Sequence, residues 1–334
     1  MTNKNRPINP FDQNIQLIRE IIRFSFAIYC LFIGYKFYRF CLWATGHSKV
    51  FVNRPPSVEA FLPISALASL RMFLYSGQYA KIHPAGLTIL LTAMLIALLF
   101  RKGFCGWICP VGLISNLLEK LGHKIKLAIC LPKWLDLFLR PIKYIGLAFF
   151  IYMIFWQMNI AAVKHFINSP YNISVDARML AFFLHPSKLT IIILASLAIL
   201  SIVVRNFWCK YLCPYGALLG ILACFSPTTI KRDEELCIKC KKCKLACPAC
   251  IDVFDKKTIR TPECYGCLKC ISACPVDNCL QLKFLNKKKM PLWLLPVMIV
   301  SVFLGAWIIA EVTGHWQTQV PIDMLKQFYA NIPL

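Results

Sequence analysis

The fold of this chain is decided by residues 237–275, which read CIKCKKCKLACPACIDVFDKKTIRTPECYGCLKCISACP. The spacing C-x2-C-x2-C-x3-C-P occurs twice in this stretch. Thiolates at this spacing hold two [4Fe–4S] clusters, and the fourth cysteine of each run binds the cluster of the other run. The predicted ligands are Cys237, Cys240, Cys243 and Cys274 for the first cluster, and Cys264, Cys267, Cys270 and Cys247 for the second. A zinc ribbon, the alternative, would show two C-x2-C pairs without the third cysteine.

Two shorter motifs upstream have the spacing C-x3-C-P-x-G, and each ends one copy of an internal repeat. Residues 83–112 align with residues 185–216, and each copy reads His-Pro, an apolar stretch and then the motif. The four motif thiols belong to Cys105, Cys109, Cys209 and Cys213. Two copies related by a twofold axis along the membrane normal would bring these thiolates together and suffice for a third [4Fe–4S] cluster. A soft metal such as copper is the alternative occupant.

The residues that follow the second cysteine of each short motif also suggest a local geometry. The proline is expected to end a turn, because its ring cannot continue the preceding hydrogen-bond pattern. The glycine is expected to permit an unusual backbone angle after it.

The composition indicates a membrane protein. The chain is 58% hydrophobic and 16% charged, with a mean hydropathy of +0.59, whereas a soluble domain carries about 25% charged residues. We predict a mainly α fold of about five membrane helices, with a cytoplasmic two-cluster ferredoxin-like α+β domain inserted between the fourth and the fifth. The predicted spans are residues 21–43, 84–101, 144–163, 188–205 and 291–311.

The basic residues predict the orientation in the membrane. Segments 1–23, 101–143 and 205–290 hold 28 of the 38 Lys and Arg residues, and cytoplasmic loops carry such an excess. The N-terminus and the ferredoxin domain are therefore expected to be cytoplasmic and the C-terminus external, in a bacterial inner membrane. The expected outer segments contain no cysteine, which fits cluster binding on the reducing side.

The predicted spans and motifs divide the chain into five segments. They are an N-terminal tail with the first span (1–43), an outer interfacial segment (44–82), the duplicated membrane unit (83–228), the two-cluster ferredoxin domain (229–286), and the last span with a short outer tail (287–334).

Three histidines are candidates for a quinone or haem site at the outer face. His83 and His185 occupy corresponding positions in the two repeats, and His315 lies in the outer tail. In the outer segment, Arg54 and Glu59 are candidates for hydrogen bonds to a quinone headgroup. The alternative for these residues is a plain role as anchors at the membrane interface.

The net charge of +23 does not indicate nucleic acid, because the basic residues flank predicted spans and no nucleic-acid fold signature is present. Attraction to anionic lipid accounts for most of the charge. Six lysines around the first ferredoxin run are candidates for steering an acidic redox partner, with a merely solvated surface as the alternative. They are Lys239, Lys241, Lys242, Lys244, Lys256 and Lys257.

Six cysteines lie outside the four motifs. Cys250 and Cys279 follow the two ferredoxin runs closely, and we interpret them as small buried residues, with a spare ligand as the alternative. Cys30, Cys41, Cys130 and Cys224 are isolated in the sequence, and we interpret them as apolar packing residues.

The combination of motifs resembles the NapH/NosR/CcoG group of membrane polyferredoxins. The matching stretches are FCGWICPVG at 104–112, WCKYLCPYG at 208–216, and the two runs at 237–248 and 264–275. The resemblance implies electron transfer from quinol toward external reductases for a NapH-type protein, and oxidase assembly or metal reduction for a CcoG-type protein. NosR-type proteins carry an additional flavin domain, for which this chain has no room.

The leading hypothesis is therefore a membrane iron–sulfur protein that relays electrons between the quinone pool and a redox protein partner, as a subunit of a quinol dehydrogenase-type oxidoreductase. No residue is predicted to be catalytic in its own right. The alternatives are a copper or other metal-ion reductase or oxidase-assembly factor, and a membrane redox sensor.

Overall fold

The computed structural model describes residues 12, 14–285, 287–330 and 332, and these are mostly helical. The α-helices are α1 (Ile15–Ala44), α2 (Pro63–Ser76), α3 (Pro84–Phe100), α4 (Gly103–Trp107), α5 (Pro110–Lys124), α6 (Lys133–Leu139), α7 (Pro141–Tyr152), α8 (Ile160–Ile167), α9 (Pro170–Ile173), α10 (Val175–Leu184), α11 (Lys188–Val203), α12 (Pro214–Ala223), α13 (Lys242–Leu245), α14 (Lys269–Ser272), α15 (Leu294–Val312) and α16 (Ile322–Tyr329). Single 3-10 or π-helical turns lie at Pro56–Phe61, Met153–Gln157, Trp208–Leu212 and Val253–Asp255.

Within the described residues, two helical stretches are long and apolar enough to cross a membrane, namely Lys133–Gln157 and α15. A third is added if α10 and α11, which meet at a bend of 80°, form one broken span. Helix α3 coincides with the second predicted span, but its 17 residues measure about 26 Å, less than a hydrocarbon core of about 30 Å. Helix α1 contains the first predicted span and carries Lys36 and Arg39 in its second half. The count of five spans therefore stays a prediction.

The ferredoxin segment contains a small antiparallel sheet. Its strands are β1 (Thr228–Arg232), β2 (Thr258–Ile259), β3 (Leu280–Phe284) and β4 (Lys288–Lys289), in the spatial order β2-β1-β3-β4. Ile230 of β1 lies opposite Ile259 on one side and Leu282 on the other. All three side chains are buried, so one face of the sheet forms an apolar floor beneath the cysteine-bearing loops.

The residue contacts divide the chain into two compact units. We call the first the cysteine unit, because it holds all twelve motif cysteines; it comprises Met1–Ala27, Met94–Lys143 and Leu200–Val302. We call the second the histidine unit, because it holds His83, His185 and His315; it comprises Ile28–Ala93, Tyr144–Ile199 and Phe303–Leu334. The boundaries fall within α1, α3, α7, α11 and α15.

Candidate iron–sulfur centres

Two cavities of nearly equal size lie in the ferredoxin segment. Their volumes are about 330 Å³ and about 340 Å³, with the open space at their mouths included. The first cavity is lined by Cys237, Cys240, Cys243 and Cys274. The second is lined by Cys247, Cys264, Cys267 and Cys270. The fold therefore brings together the two crossed sets of four thiols that the spacing predicts.

The two cysteine runs have the same local backbone geometry. The second residue after the first cysteine is left-handed in both runs, at Lys239 with φ 54° and at Gly266 with φ 61°. The fourth residue is left-handed as well, at Lys241 with φ 60° and at Leu268 with φ 59°. In the first run this turn directs the backbone N–H of Lys239 to the Cys237 thiol, which lowers the pKa of Cys237. A hydrogen bond of this kind stabilises the thiolate, the form that binds metal.

The surroundings of the two cavities differ in polarity. Apolar side chains, including Ile251, Val253 and Leu268, close the second cavity. The first cavity has Arg232, Lys239 and Lys241 in its lining. Its Cys240 is exposed. The first cavity is therefore the more accessible of the two and the more cationic at its surface.

Some of the lysines predicted to steer a partner have neighbours of opposite charge. Lys244 lies 2.5 Å from an Asp252 oxygen, and Lys257 lies 3.5 Å from a Glu234 oxygen. Such exposed pairs contribute little energy, but they reduce the net positive charge around Lys244 and Lys257. Lys239 and Lys241, which line the first cavity, carry the local excess.

The shorter motifs form the starts of helices. The helical turns Gly103–Trp107 and Trp208–Leu212 end just before these prolines, as expected, and in addition Pro110 begins α5 and Pro214 begins α12. Proline is favoured at the first helical position because its missing N–H would have had no partner there. Cys109 and Cys213 are the capping residues, and the Sγ of Cys213 accepts a hydrogen bond of 3.3 Å from the Gly216 N–H.

The glycines of these motifs are needed for close approach. Neither Gly112 nor Gly216 is left-handed, so the expected unusual backbone angle is wrong. A Cβ on Gly112 would lie 2.7 Å from the carbonyl oxygen of Cys105, and one on Gly216 would lie 3.5 Å from that of Cys209. In each copy, the helix start packs against the first cysteine of its own motif.

The four thiols of the short motifs converge. Burial raises the pKa of Cys109 to about 11, and the Cys213 thiol of the other copy adds to the rise. Burial also raises the pKa of Cys209 to about 12, with further contributions from Cys213 and Cys109. The pKa of Cys105 is raised by burial and by the other three thiols. The rings of Phe104 and Tyr215, one from each motif, also meet edge-on with their centres 6.0 Å apart, so the two motifs adjoin within the cysteine unit. Among the described residues, no three His, Cys, Asp or Glu side chains are grouped tightly enough to hold a single metal ion.

Lys102 is a buried cation beside these thiols, and its charge also acts on the buried Glu263 carboxyl, whose pKa is lowered. Lys102 is fully buried, and its Nζ has no hydrogen-bond partner among the described residues. The Nζ lies 4.8 Å from the centre of the Tyr265 ring, and its charge acts on the thiols of Cys105 and Cys209. Burial of a charge is costly unless nearby anions offset it. Four thiolates around a [4Fe–4S] cluster are anionic as a whole, so the residues present fit such an occupant.

Both short motifs pack against the ferredoxin loops. The indole Nε1 of Trp107 donates to the carbonyl of Gly266 at 3.1 Å. A Cβ on Gly106 would lie 2.4 Å from the Tyr265 carbonyl. Just before the second short motif, the Asn206 amide donates to the Pro248 carbonyl at 3.3 Å. The thiols of the short motifs therefore adjoin the loops that line the second cavity.

Two buried arginines that are not among the predicted site residues support the first short motif. Arg19 donates from Nε to the Gly106 carbonyl at 3.0 Å. Arg23 donates to the Gly112 carbonyl at 2.6 Å and to the Asn116 side chain at 3.0 Å. Their i, i+4 spacing, which puts both on one face of α1, was the available signal.

Cys130 and Cys250 form a disulfide, although 120 residues separate them in the sequence. The interpretation of both as packing residues is therefore wrong. Sequence alone carried no signal for this pair, because disulfide pairing depends on the distance between two Cα atoms in the folded chain. Cys30, Cys41, Cys224 and Cys279 are free.

In the histidine unit, His83 is part of a buried ionic network. Its Nδ1 lies 3.2 Å from a Glu59 oxygen, and its Nε2 lies 2.7 Å from the Asn172 carbonyl. Arg54 pairs with both Glu59 and Asp176, so its hydrogen bonds and those of Glu59 are made within the protein. Burial alone would lower the pKa of His83, but the hydrogen bond and charge of Glu59 outweigh it, and the pKa is raised above 6.5.

The other two candidate histidines have different surroundings. His185 is exposed and follows α10. His315 is half-buried; its Nδ1 lies 2.8 Å from the Thr313 hydroxyl, and its ring meets the Tyr79 ring edge-on at 4.4 Å. The quinone or haem assignment of the three histidines stays a prediction.

The site as a whole defines the class: an iron–sulfur protein with a duplicated cysteine motif and a two-cluster ferredoxin segment. A model described as a 4Fe–4S binding domain matches residues 82–128 and 188–232, one match on each repeat. A second model, described as a 4Fe–4S dicluster domain, matches residues 229–275. No solved structure matches the chain.

Curated relatives agree with this class. The "Putative electron transport protein YccM" of Escherichia coli (strain K12) is 39% identical over 87% of this chain and 84% of its own length. The ferredoxin-type protein NapH of the same organism is 24% identical over 78% of this chain and 86% of its own. The regulatory protein NosR of Stutzerimonas stutzeri is 29% identical over 63% of this chain but only 29% of its own. The chain belongs to the NapH/NosR-type family of 4Fe–4S membrane ferredoxins.

Proposed function

We propose that this iron–sulfur electron transport protein holds three [4Fe–4S] clusters and relays electrons between the quinone pool and a redox protein partner. Two clusters are held by the crossed sets of cysteines that line the two cavities. The third is held by Cys105, Cys109, Cys209 and Cys213. When bound, such clusters accept and release single electrons. The observation that carries the proposal is the convergence of twelve thiols in three groups of four within one compact unit.

The chain's own residues suggest an order for the three centres. The first short motif touches the loop of Tyr265 and Gly266, which belongs to the second cavity. The first cavity has the exposed Cys240 and the cationic Lys239 and Lys241. An acidic partner is therefore proposed to dock at the first cavity, where opposite charge steers association.

The quinone part of the proposal is supported by the histidine unit. Oxidation of a quinol releases two protons with its two electrons, so a quinone site needs a group that accepts protons. His83 is a buried imidazole 3.2 Å from a Glu59 oxygen, and the hydrogen bond and charge of Glu59 outweigh burial and raise its pKa above 6.5, so that together the two groups form an acid–base pair. His185 and His315 remain candidates for the same site, and a haem with imidazole ligands is the alternative occupant.

The proposed setting is a bacterial inner membrane crossed by five helices, with the N-terminus and the cysteine unit's ferredoxin loops on the cytoplasmic side and the C-terminus outside. The support is the distribution of Lys and Arg. Anionic lipid is the expected partner of the remaining positive charge.

Iron and acid-labile sulfide, measured on anaerobically purified protein with EPR spectra and an optical scan, test this proposal. Three clusters predict about twelve irons per chain, and Cys105→Ala or Cys209→Ala should lower the count to about eight. Cys224→Ala, which removes a free cysteine outside all three groups, is the matched control and should leave it unchanged.

A count near eight in the unaltered chain would contradict a third cluster. Copper that binds the short motifs after the ferredoxin clusters are lost would favour a metal-ion reductase or an assembly factor. The optical scan shows or excludes haem.

A further inference from the structure

The Cys130–Cys250 disulfide lies beside a proposed cluster ligand. Cys250 follows Cys247, which lines the second cavity, by three residues. The Cys250 N–H donates to the Cys247 carbonyl at 3.0 Å, and the Ile251 N–H lies 3.5 Å from the Cys247 Sγ. One sulfur of the disulfide is therefore on the same tight turn as a ligand of the second centre.

The other half of the disulfide is fixed beside the second short motif. The Ile129 N–H donates to the Val203 carbonyl at 2.8 Å, and the Arg205 N–H donates to the Ile129 carbonyl at 3.2 Å. These bonds form a parallel bridge between Ile129 and Val204. Cys130 is thus held against the backbone that leads into Cys209, and the disulfide connects that backbone with the loop of the second cavity.

The surroundings of the disulfide allow it to open without separation of the two segments. Cys130 and Cys250 are both half-buried, so solvent protons reach them. The Arg205 side chain donates to the Leu245 carbonyl at 2.7 Å and the Asn206 amide donates to the Pro248 carbonyl at 3.3 Å, and these hydrogen bonds join the same two segments. Cys250 also has a left-handed backbone, with φ 54°, and such strained residues concentrate at functional sites.

A disulfide at this place is unexpected as a purely structural bond. The predicted orientation puts both segments in the cytoplasm, where glutathione and thioredoxin keep thiols reduced. Disulfides that do occur in that compartment are usually transient and catalytic or redox-sensing. The twelve other thiols of the cysteine unit that form the three groups are free.

We propose that Cys130–Cys250 is a redox-active disulfide that exchanges electrons with the centre held by Cys247, Cys264, Cys267 and Cys270. The inference rests on the proposed function, because that centre is the electron donor. Two electrons, delivered one after the other, and two protons from solvent break the S–S bond and leave two thiols. The cluster held by these four cysteines would supply the two electrons one at a time, and the quinol or the redox protein partner of the proposed function would provide both of them. The reverse reaction re-forms the disulfide, so the chain couples one-electron centres to a two-electron thiol pair.

The test follows Cys130 and Cys250 by peptide mass spectrometry after rapid denaturation and alkylation of the anaerobic holoprotein. In the oxidised protein, the two peptides should be linked. After reduction of the clusters with dithionite, the link should be gone and both cysteines alkylated. In Cys267→Ala, which lacks a ligand of the second centre, opening by dithionite should be at least tenfold slower, whereas a phosphine should open the link equally fast in both proteins.

A second measurement does not depend on folding of the Cys267→Ala protein. In an anaerobic reductive titration, the unaltered chain should take up two electrons per chain more than Cys130→Ser, at equal iron content. Cys224→Ser is the matched control and should take up as many electrons as the unaltered chain.

Three results would overturn the inference: alkylation of both cysteines in the oxidised protein, a closed link in protein whose clusters EPR shows to be reduced, or equal electron uptake by Cys130→Ser. The iron count separates these from failure of the proposed function. Protein with about twelve irons and a permanently closed link refutes only the redox-active disulfide, whereas protein without iron refutes both proposals.

Discussion

Among the single residues beside the short-motif thiols, Lys102 is a buried cation whose charge acts on Cys105 and Cys209. Its ammonium group is fully buried without a hydrogen-bond partner in the described structure. A positive charge favours addition of an electron to a neighbouring cluster, because reduction adds negative charge. A unit charge at a separation of about 8 Å and an effective dielectric constant near 20 contributes about 2 kcal/mol.

Lys102→Met should therefore lower the reduction potential of the short-motif cluster by roughly 50–100 mV, since 59 mV corresponds to 1.4 kcal/mol for one electron. The measurement is a potentiometric titration followed by EPR. Lys133→Met is the control, because its side chain is 85% exposed and its charge is screened by water. An unchanged potential in Lys102→Met at full iron content would show that Lys102 does not act on this cluster.

His83 predicts a dependence of stability on pH. Burial lowers the pKa of His83, but the hydrogen bond and the charge of Glu59 raise it by more, so the pKa is raised in the folded protein. The charged imidazole therefore stabilises the fold below the unfolded pKa of 6.5, and this stabilisation is lost as the pH rises through the folded pKa. The melting temperature of the unaltered chain should fall over that window, and His83→Gln should remove this part of the fall.

The control for this prediction is His185→Gln, because His185 is exposed and should leave the pH profile unchanged. Scanning fluorimetry of the detergent-solubilised protein at a series of pH values above 6.5 measures both variants. Parallel profiles for His83→Gln and the unaltered chain would refute a charged His83–Glu59 pair.

At the scale of elements, the two copies of the short motif are equal in sequence but not in packing. The motif glycine approaches the first cysteine's carbonyl much more closely in the first copy, at Gly112, than in the second, at Gly216. A contact of 2.7 Å requires backbone to move, whereas 3.5 Å is an ordinary van der Waals contact.

Gly112→Ala should consequently destabilise the protein by roughly 1–3 kcal/mol, the usual cost of overpacking, and should lower the iron count toward eight by displacing Cys105 or Cys109. Gly216→Ala provides the matched control within the same repeat and should keep about twelve irons. Iron analysis and thermal unfolding compare the two. Equal losses in both variants would mean that the glycines serve a common purpose other than close approach.

The elements also show where local sequence rules apply. The two C-x2-C-x2-C runs form the same loop, in which the residues two and four positions after the first cysteine have a left-handed backbone. The same spacing therefore gives the same local structure in both runs. The C-P-x-G signature predicts the end of a turn at the proline but not the helix that begins there. The proline starts a helix, and the preceding cysteine caps it, an arrangement that the preference for proline at the first helical position would have indicated.

At the scale of the whole molecule, the two compact units have different kinds of chemistry. The cysteine unit contains the three groups of thiols, the buried Lys102 and the disulfide. The histidine unit contains the Arg54–Glu59–Asp176 network with His83. Each unit combines three separate stretches of the chain, so the five segments predicted from the sequence do not correspond to the two units.

From the sequence alone, the class of protein could be predicted, as could which cysteines belong to each group of four thiols. Ligand spacing is a short-range property, and an internal repeat is visible without any coordinates. These signals were sufficient for Cys237 to Cys274 and for the pairing of the two short motifs.

Which charges are buried, and which residues far apart in the sequence are in contact, follows only from the tertiary structure. Lys102, Arg19 and His83 have ordinary local sequence contexts, yet they are buried. Cys130 and Cys250 are bonded across 120 residues. Such encounters depend on how the helices and loops pack in space, and hydrophobic periodicity or spacing describes only neighbours along the chain.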